Sequence, residues 1–287
     1  MSQPKIGIIG GSGLYEMEGL KVVEETRLET PFGEPSDAFI QGELDGRKVV
    51  FLSRHGRGHR ISPSEINFRA NIWGMKKLGV EAIIAVSAVG SMKQEIVPGH
   101  MVIIDQFFDR TKGRPSTFFS DGIVAHVTFA DPLCPSLRQS FIAAGKEVGA
   151  TIHEKGTYIC MEGPQFSTRA ESNIYRKWGV DVIGMTNLQE AKLAREAEIC
   201  YATIALSTDY DCWHEGHEDV TIGAVIEVLK KNVETAKAII RKAIPKITID
   251  RKCECPTALR HAILTDPKVV PSETKKRLEV IAGKYFQ

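Results

Sequence analysis

Short apolar runs alternate with longer amphipathic stretches along almost the whole chain, and this alternation constrains the fold more than any other feature. The runs are Ile6–Ile9, Lys48–Ser53, Ala82–Val86, Met101–Asp105, Thr157–Met161, Val180–Met185 and Tyr201–Leu206. Each has strand length and is too short for a typical helix. Between them lie stretches with helix chemistry and helix stop signals. Residues 67–78 end at Gly79, 136–148 at Gly149 and 168–178 at Gly179, where glycine takes the left-handed turn that closes a helix. Residues 188–198 are rich in helix formers, and 221–243 form a long helix closed by Pro245. Strands separated by helices predict an α/β domain, assigned here to residues 1–249. From Asp250 the chain turns polar and reads as a tail of one or two helices, 256–264 and 272–284, packed on the same domain or on a neighbouring subunit.

A chain of 287 residues is long enough for such a core. Lys and Arg total 37 against 36 for Asp and Glu, a net charge of +1. Without a basic excess or a charged tail, neither nucleic acid nor a membrane surface is an expected partner. The N-terminus enters a strand-like run at once, without a signal-peptide apolar region. No run approaches the roughly 20 apolar residues of a membrane helix, so the expected location is the cytoplasm. Six cysteines are scattered singly, apart from Cys253-Glu-Cys255. A lone CxC is a weak zinc motif because no second pair at ligand spacing accompanies it.

The chemistry gathers at the ends of the predicted strands. Leu206-Ser-Thr-Asp209-Tyr-Asp211 places two carboxylates two residues apart. Continued as a strand, they point to one side, and two like charges so close resist ionising together. A protonated carboxyl beside a carboxylate donates one hydrogen bond and accepts another, which matches the N7 acceptor and N6 donors of adenine. The plainer reading is a turn capped by Asp.

Gly7-Ile-Ile-Gly10-Gly-Ser12-Gly13 follows the first strand, where backbone amides and a hydroxyl can crowd toward an anion. A dinucleotide-binding turn is the rival, but only Leu14–Gly19 precedes the next strand-like run, too short for a βαβ crossover. Arg54-His55-Gly-Arg57-Gly-His59 follows another strand, and the planar fork of Arg suits phosphate. Ser87-Ala88-Val-Gly90-Ser91 and Met185-Thr186-Asn187 end two more, the last leading into a helix N-terminus. Four such strand ends in one α/β chain point to a phosphate site. In Glu162-Gly-Pro-Gln-Phe166-Ser167-Thr168-Arg-Ala-Glu171, Phe166 can stack on a flat base. Ser167 and Thr168 can equally cap the next helix, and Glu162 and Glu171 can equally be buried ion-pair partners.

Taken together, KIGIIGGSGL, TPFGEPSDA, SRHGRGH, INFRANIW, IIDQFFDRT, EGPQFSTRAES and STDYDCW make the chain similar to the trimeric purine nucleoside phosphorylases from Lys5 to about Lys246, and most of all to their 5′-methylthioadenosine branch. The resemblance implies a twisted, partly barrel-like mixed sheet ringed by helices. It implies a homotrimer, or a hexamer as a dimer of trimers. It implies phosphorolysis, with inorganic phosphate as co-substrate and no metal or redox cofactor. By that resemblance phosphate is held by Gly10, Ser12, Arg54, His55, Ser87, Ala88 and Thr186. Phe166 and Met185 line base and ribose, while Ser167, Asp209 and Asp211 read the purine. Asp209 donates a proton to N7, and Asp211 keeps it protonated or orients it. His126 reaches a neighbouring subunit's 5′ pocket, where Ile222, Val225 and Ile226 present an apolar helix face.

Members acting on 6-oxopurines carry Glu where Ser167 stands, Asn where Asp209 stands, and a His near Ile222. The chain therefore resembles the methylthioadenosine branch, with adenosine, inosine or guanosine phosphorolysis as the alternative. Gly184 and Asn187 depart from the branch's usual pattern and point to wider substrate tolerance. The terminal CxC is similar to that of thermophilic members, which implies a bridge pinning the tail to the body, with Cys200 as partner for the tail and Cys134–Cys160 as a second pair. Reduced thiols in a loop are the plainer reading.

Overall fold

The computed structural model describes residues 5–214, 222–248 and 253–286. Eleven strands and seven helices follow one another among the described residues. The first half holds β1 (Lys5–Gly10), β2 (Leu20–Thr26), β3 (Phe39–Leu44), β4 (Arg47–Ser53), α1 (Phe68–Lys77), β5 (Val80–Ser91), β6 (Met101–Ile103), β7 (Gln106–Arg110) and α2 (Pro135–Glu147). The second holds β8 (Ile152–His153), β9 (Thr157–Met161), α3 (Arg169–Lys177), β10 (Val182–Gly184), α4 (Asn187–Glu196), β11 (Cys200–Asp209), α5 (Ile222–Ala243), α6 (Ser272–Arg277) and α7 (Glu279–Ala282).

All strands join one mixed sheet in the order β2-β3-β4-β1-β5-β10-β9-β7, with β11 pairing β5 and β6, and β8 on the far side of β6. The sheet forks at β5. Its first half lies between parallel β1 and parallel β11, while Gly90 and Ser91 at its end pair antiparallel with β10. Three strands thus pair with β5: β1 with its first half, β11 along most of its length and β10 with its end.

Strand periodicity explains the core. Ile8 and Ile9, Phe51 and Leu52, and Ile83 and Ile84 are neighbours in sequence but fall in two different apolar clusters, because successive side chains leave opposite faces of a strand. One face is covered by α1, α4 and the C-terminal tail, the other by α2 and α5. A sheet buried on both faces requires nearly unbroken apolar runs, which is why these strands are conspicuous in the sequence.

The strands that the pattern does not announce are β2, β3, β7 and β8. Most of β2 is exposed, so it lacks the apolar run that marks a buried strand. Between β1 and β2 stands only a short 3-10 turn, Ser12–Tyr15, as the argument against a dinucleotide fold requires. The tail differs from expectation. Residues 256–264 are not a helix: a 3-10 turn at Cys255–Thr257 leads into turns, and Ile263 bridges Ala125. The second expected helix is broken into α6 and α7. Leu259, Ala262, Val270, Leu278 and Ile281 are buried in the same cluster as β1 and α4, and Arg277 pairs with Asp121 at 2.6 Å.

Candidate active site

The ends of β1 and β4 lie side by side, next to the middle of β5. Gly10 is in register with Ser53, and the Arg54 amide donates to the Gly10 carbonyl at 3.0 Å. A Cβ at Gly10 meets Leu14 Cδ1 at 2.5 Å, so a side chain there displaces Leu14. Ser12 opens the 3-10 turn beyond it, and its side chain lies outside the described residues.

Arg54 is buried and tightly held. Its Nε and Nη2 meet the two carboxylate oxygens of Glu190, the second at 3.0 Å, and Nη1 donates to the Val86 carbonyl at 2.9 Å. One further N–H on each terminal nitrogen remains, on the edge facing away from Glu190. The hydroxyl of Tyr201 donates to Glu190 at 2.8 Å. Neither Glu190 nor Tyr201 was singled out from sequence, although a buried arginine demands a buried carboxylate. Glu190 sits on the first turn of α4, immediately after Thr186.

Tyr158, on β9, links two further strand ends. Its hydroxyl lies 3.4 Å from Ser87 Oγ and 3.5 Å from the Thr186 amide. Ser87 and Ala88 lie beside Ala205 and Leu206 of β11, and Thr186 is the N-cap residue of α4. Gly10, Arg54, Ser87, Ala88 and Thr186 are thereby tied through adjacent strands and shared partners. His55 stands next to Arg54, with Nδ1 donating to the Ile61 carbonyl at 2.8 Å and the ring stacked on His59 at 4.2 Å. Burial, with the charge of Arg54 adding to it, lowers its pKa to about 4. Its ring is therefore neutral at pH 7, with the remaining nitrogen an acceptor.

Asp209 and Asp211 do come together, by a geometry other than strand alternation. The strand stops at Asp209, with a register shift just before it. Tyr210 turns, and Asp211 enters a 3-10 turn at φ 53°. Both side chains then lie over Gly90: a Cβ there meets Asp209 Oδ1 at 2.9 Å and Asp211 Cβ at 3.5 Å. Asp209 accepts from Thr208 Oγ1 at 2.6 Å and from the Asp211 amide at 2.8 Å. Burial raises its pKa against those hydrogen bonds. Burial and the nearby Asp209 charge raise Asp211 to about 6. Its Oδ2 is buried with no hydrogen-bond partner among the described residues. The charge coupling expected from the DxD spacing is present, and Asp211 is the member with the large shift.

Beyond this pair, Thr168 alone caps α3, in a reciprocal box with Glu171. Ser167 does not cap: its hydroxyl faces Met161 Sδ at 3.6 Å, and its carbonyl accepts from the Cys212 thiol at 3.4 Å. Glu162 does form an ion pair, with Arg114 at 3.2 Å, a buried residue not singled out from sequence. Arg114 also donates to the Met185 carbonyl at 2.6 Å, tying the 162–164 loop to Met185. A Cβ at Gly163 meets Met185 Sδ at 2.5 Å, so that loop presses directly on the Met185 side chain. Phe166 is 52% exposed.

A Cβ at Gly184 falls 1.9 Å from the Tyr158 hydroxyl, so glycine there serves the close approach of β9. Asn187 is fully buried. His126 is exposed, on the segment that the tail holds through the His126 amide and Ala262 carbonyl at 2.8 Å. Ile222 and Val225 lie on α5 with side chains outside the described residues, and Ile226 is 43% exposed.

The family model of the phosphorylase superfamily matches residues 5–245. The chain belongs to the phosphorylase superfamily. Among its phosphorylase relatives, the S-methyl-5′-thioadenosine phosphorylase of Geobacter sulfurreducens is 64% identical, covering 98% of each chain. That of Koribacter versatilis is 60% identical over 99% of this chain and 97% of its own. A crystal structure of methylthioadenosine phosphorylase from an antarctic soil metagenomic library superposes with a TM-score of 0.93 at 50% identity, covering 98% of this chain and 99% of that one. The methylthioadenosine phosphorylase of Schistosoma mansoni, solved with adenine, superposes at 0.81 with 38% identity, covering 85% and 91%.

Proposed function

We propose that this phosphorylase cleaves 5′-methylthioadenosine with inorganic phosphate, releasing adenine and 5-methylthioribose-1-phosphate. The observation that carries the reading is 64% identity across 98% of both chains with a phosphorylase named for that substrate. The site agrees with it, since an anion-ready cluster and a carboxyl pair both border β5, the first at Ser87 and the second over Gly90. Phosphate is held by the outer N–H edge of Arg54, the hydroxyls of Ser12, Ser87 and Thr186, and amides around Gly10, His55 and Ala88. Because its ring is neutral, His55 acts there through its backbone.

In the reaction a phosphate oxygen bonds to C1′ as the C1′–N9 bond breaks, its electron pair passing to the purine. Positive charge that develops on the ribose is stabilised by the phosphate. The purine is a poor anionic leaving group, and a proton from the Asp209–Asp211 pair to N7 lowers that barrier, by typically 10²–10⁴-fold. Asp211, raised to about 6, lets the pair carry that proton below about pH 6 and in a minor fraction at neutral pH. Ser167 leaves adenine N1 without a facing carboxylate, Phe166 and Met185 pack on base and ribose, and Ile222, Val225, Ile226 and a neighbouring subunit's His126 surround the 5′ group in a trimer.

A related structure described as an adenosine/methylthioadenosine phosphorylase supports adenosine as a second substrate. Release of free base is measured with methylthioadenosine, adenosine and inosine, with and without phosphate. Release that needs phosphate and runs fastest with methylthioadenosine is the expected result. Equal release without phosphate identifies a hydrolase and rejects the reading.

A further inference from the structure

Four cysteines from three distant parts of the chain meet at one point. Cys134 is the N-cap residue of α2, Cys200 opens β11, and Cys253 and Cys255 lie at the start of the tail. Their sulfurs all lie within 4.8 Å of one another, with Cys200 and Cys253 3.4 Å apart. None is in a disulfide. The expected Cys134–Cys160 pair is absent, because Cys160 points into the apolar cluster on the other face of the sheet. The sequence argument against zinc was the lack of a second pair at ligand spacing. In the fold, two single cysteines 66 residues apart in the numbering, Cys134 and Cys200, supply it.

We propose that Cys134, Cys200, Cys253 and Cys255 bind one Zn²⁺ in a closed tetrahedral thiolate site. A zinc–sulfur bond of about 2.3 Å places the sulfurs of a tetrahedron about 3.8 Å apart, inside the spread observed. Four sulfur donors with no nitrogen or oxygen among them select a soft or borderline ion in tetrahedral geometry. Three of the four residues are buried and the fourth half-buried, at the apolar cluster that holds Phe141, Ile240 and Ile244. Such a site leaves no open coordination position, so its role is structural. The positive end of α2 at Cys134 favours a thiolate there. Binding replaces the four thiol protons by one metal ion and ties the tail to both α2 and β11. The site lies at the N-terminal end of β11, whereas Asp209 ends the same strand, so the ion stands apart from the phosphorolysis chemistry.

The test uses the full chain, expressed untagged in zinc-supplemented medium and purified without chelator. Elemental analysis is expected to find about one zinc per chain, and denaturation without reductant to expose all six cysteines as thiols. Cobalt in place of zinc is expected to give the thiolate charge-transfer and visible bands of a tetrahedral site. The double variant Cys253→Ser/Cys255→Ser is expected to lose the zinc and to melt roughly 5 °C or more lower. Fewer than about 0.1 zinc per wild-type chain after reduction and zinc reconstitution overturns the proposal. So does a native mass lowered by the hydrogens lost to two disulfides, or a double variant that keeps its zinc. The zinc and thiol counts on the wild-type chain decide the matter even where the variant folds poorly.

Discussion

Glu190 holds the guanidinium of Arg54 from behind, with the two side chains only 0% and 3% exposed. The carboxylate fixes the plane of the fork and leaves its outer edge for an anion. A buried pair of this kind contributes little net stability, but removal of one partner costs about 3–5 kcal/mol.

Replacement of Arg54 by Ala is therefore expected to raise the phosphate KM by roughly ten- to a hundredfold, the loss of a charge-assisted contact worth about 1.5–3 kcal/mol. Glu190→Gln is expected to lower the melting temperature, because Arg54 keeps its charge in a buried setting. Phosphate is expected to restore part of that loss by binding the folded state. Thermal melts of the Gln variant at zero and saturating phosphate check this, and a melt insensitive to phosphate contradicts an anion site at Arg54.

Asp209→Asn is expected to leave the fold intact and to lower turnover on methylthioadenosine by at least about tenfold. Combined with Ser167→Glu, it is expected to move preference toward inosine. Initial rates on the two nucleosides decide it, and a double variant that still prefers adenine nucleosides shows the base pocket to be misassigned.

The pH dependence of stability follows from Asp211. Its folded pKa, about 6, lies above the ordinary 3.8, so the folded state binds the proton more tightly. The stabilisation this gives is complete below about pH 3.8, and it is lost as pH rises through about 6. Between pH 4 and pH 7 the wild type is expected to lose stability relative to Asp211→Asn, in which this titration is absent. Urea midpoints of both proteins at the two pH values test the sign.

Gly184→Ala places a methyl group against the Tyr158 hydroxyl and is expected to cost about 1–3 kcal/mol as an overpacked site. In a Tyr158→Phe background the same substitution is expected to cost less, because the colliding oxygen is gone. A double-mutant cycle reads this as a coupling energy between the two positions. Additive effects rule out the collision as the reason for glycine.

Burial of a methylthio group against an apolar face is worth roughly 1–3 kcal/mol over a 5′-hydroxyl left without a partner. Methylthioadenosine is expected to exceed adenosine in kcat/KM accordingly, and Ile226→Asn to narrow the gap. Parity of the two substrates in the wild type removes the case for an apolar 5′ pocket.

Buried strands are legible in this sequence because burial on both faces demands apolar runs, and β9 matches its run residue for residue. Exposed β2 has no such run, and the tail's turns are held by Ala125 and Asp121, partners remote in sequence. The strand-end residues stand out because glycine, serine and arginine are conspicuous after apolar runs. Glu190, Tyr201, Tyr158 and Arg114 are not, since each acts by filling the hydrogen-bonding needs of a residue many positions away. Asp211 was found for a partly wrong reason: the carboxylates meet because the chain turns at Tyr210 and Gly90 leaves room. Cys200 does meet the tail's CxC, as expected, whereas Cys134 was assigned to Cys160 because no local spacing ties it to the other three.

The fork at β5 also makes that strand a ruler. Ser87, beside the anion cluster, and Gly90, beneath the carboxyl pair, are three residue steps apart on extended backbone, roughly 10 Å at about 3.3 Å per step. That length is built from peptide geometry and held in register along β11, so side-chain substitution can alter what is bound at either end without changing the gap between them. Only an insertion or deletion within β5 rescales it, and a single-residue slip would also turn the strand's faces over. A site measured out in this way can tune the groups it recognises while the span of the ligand it accepts stays the same.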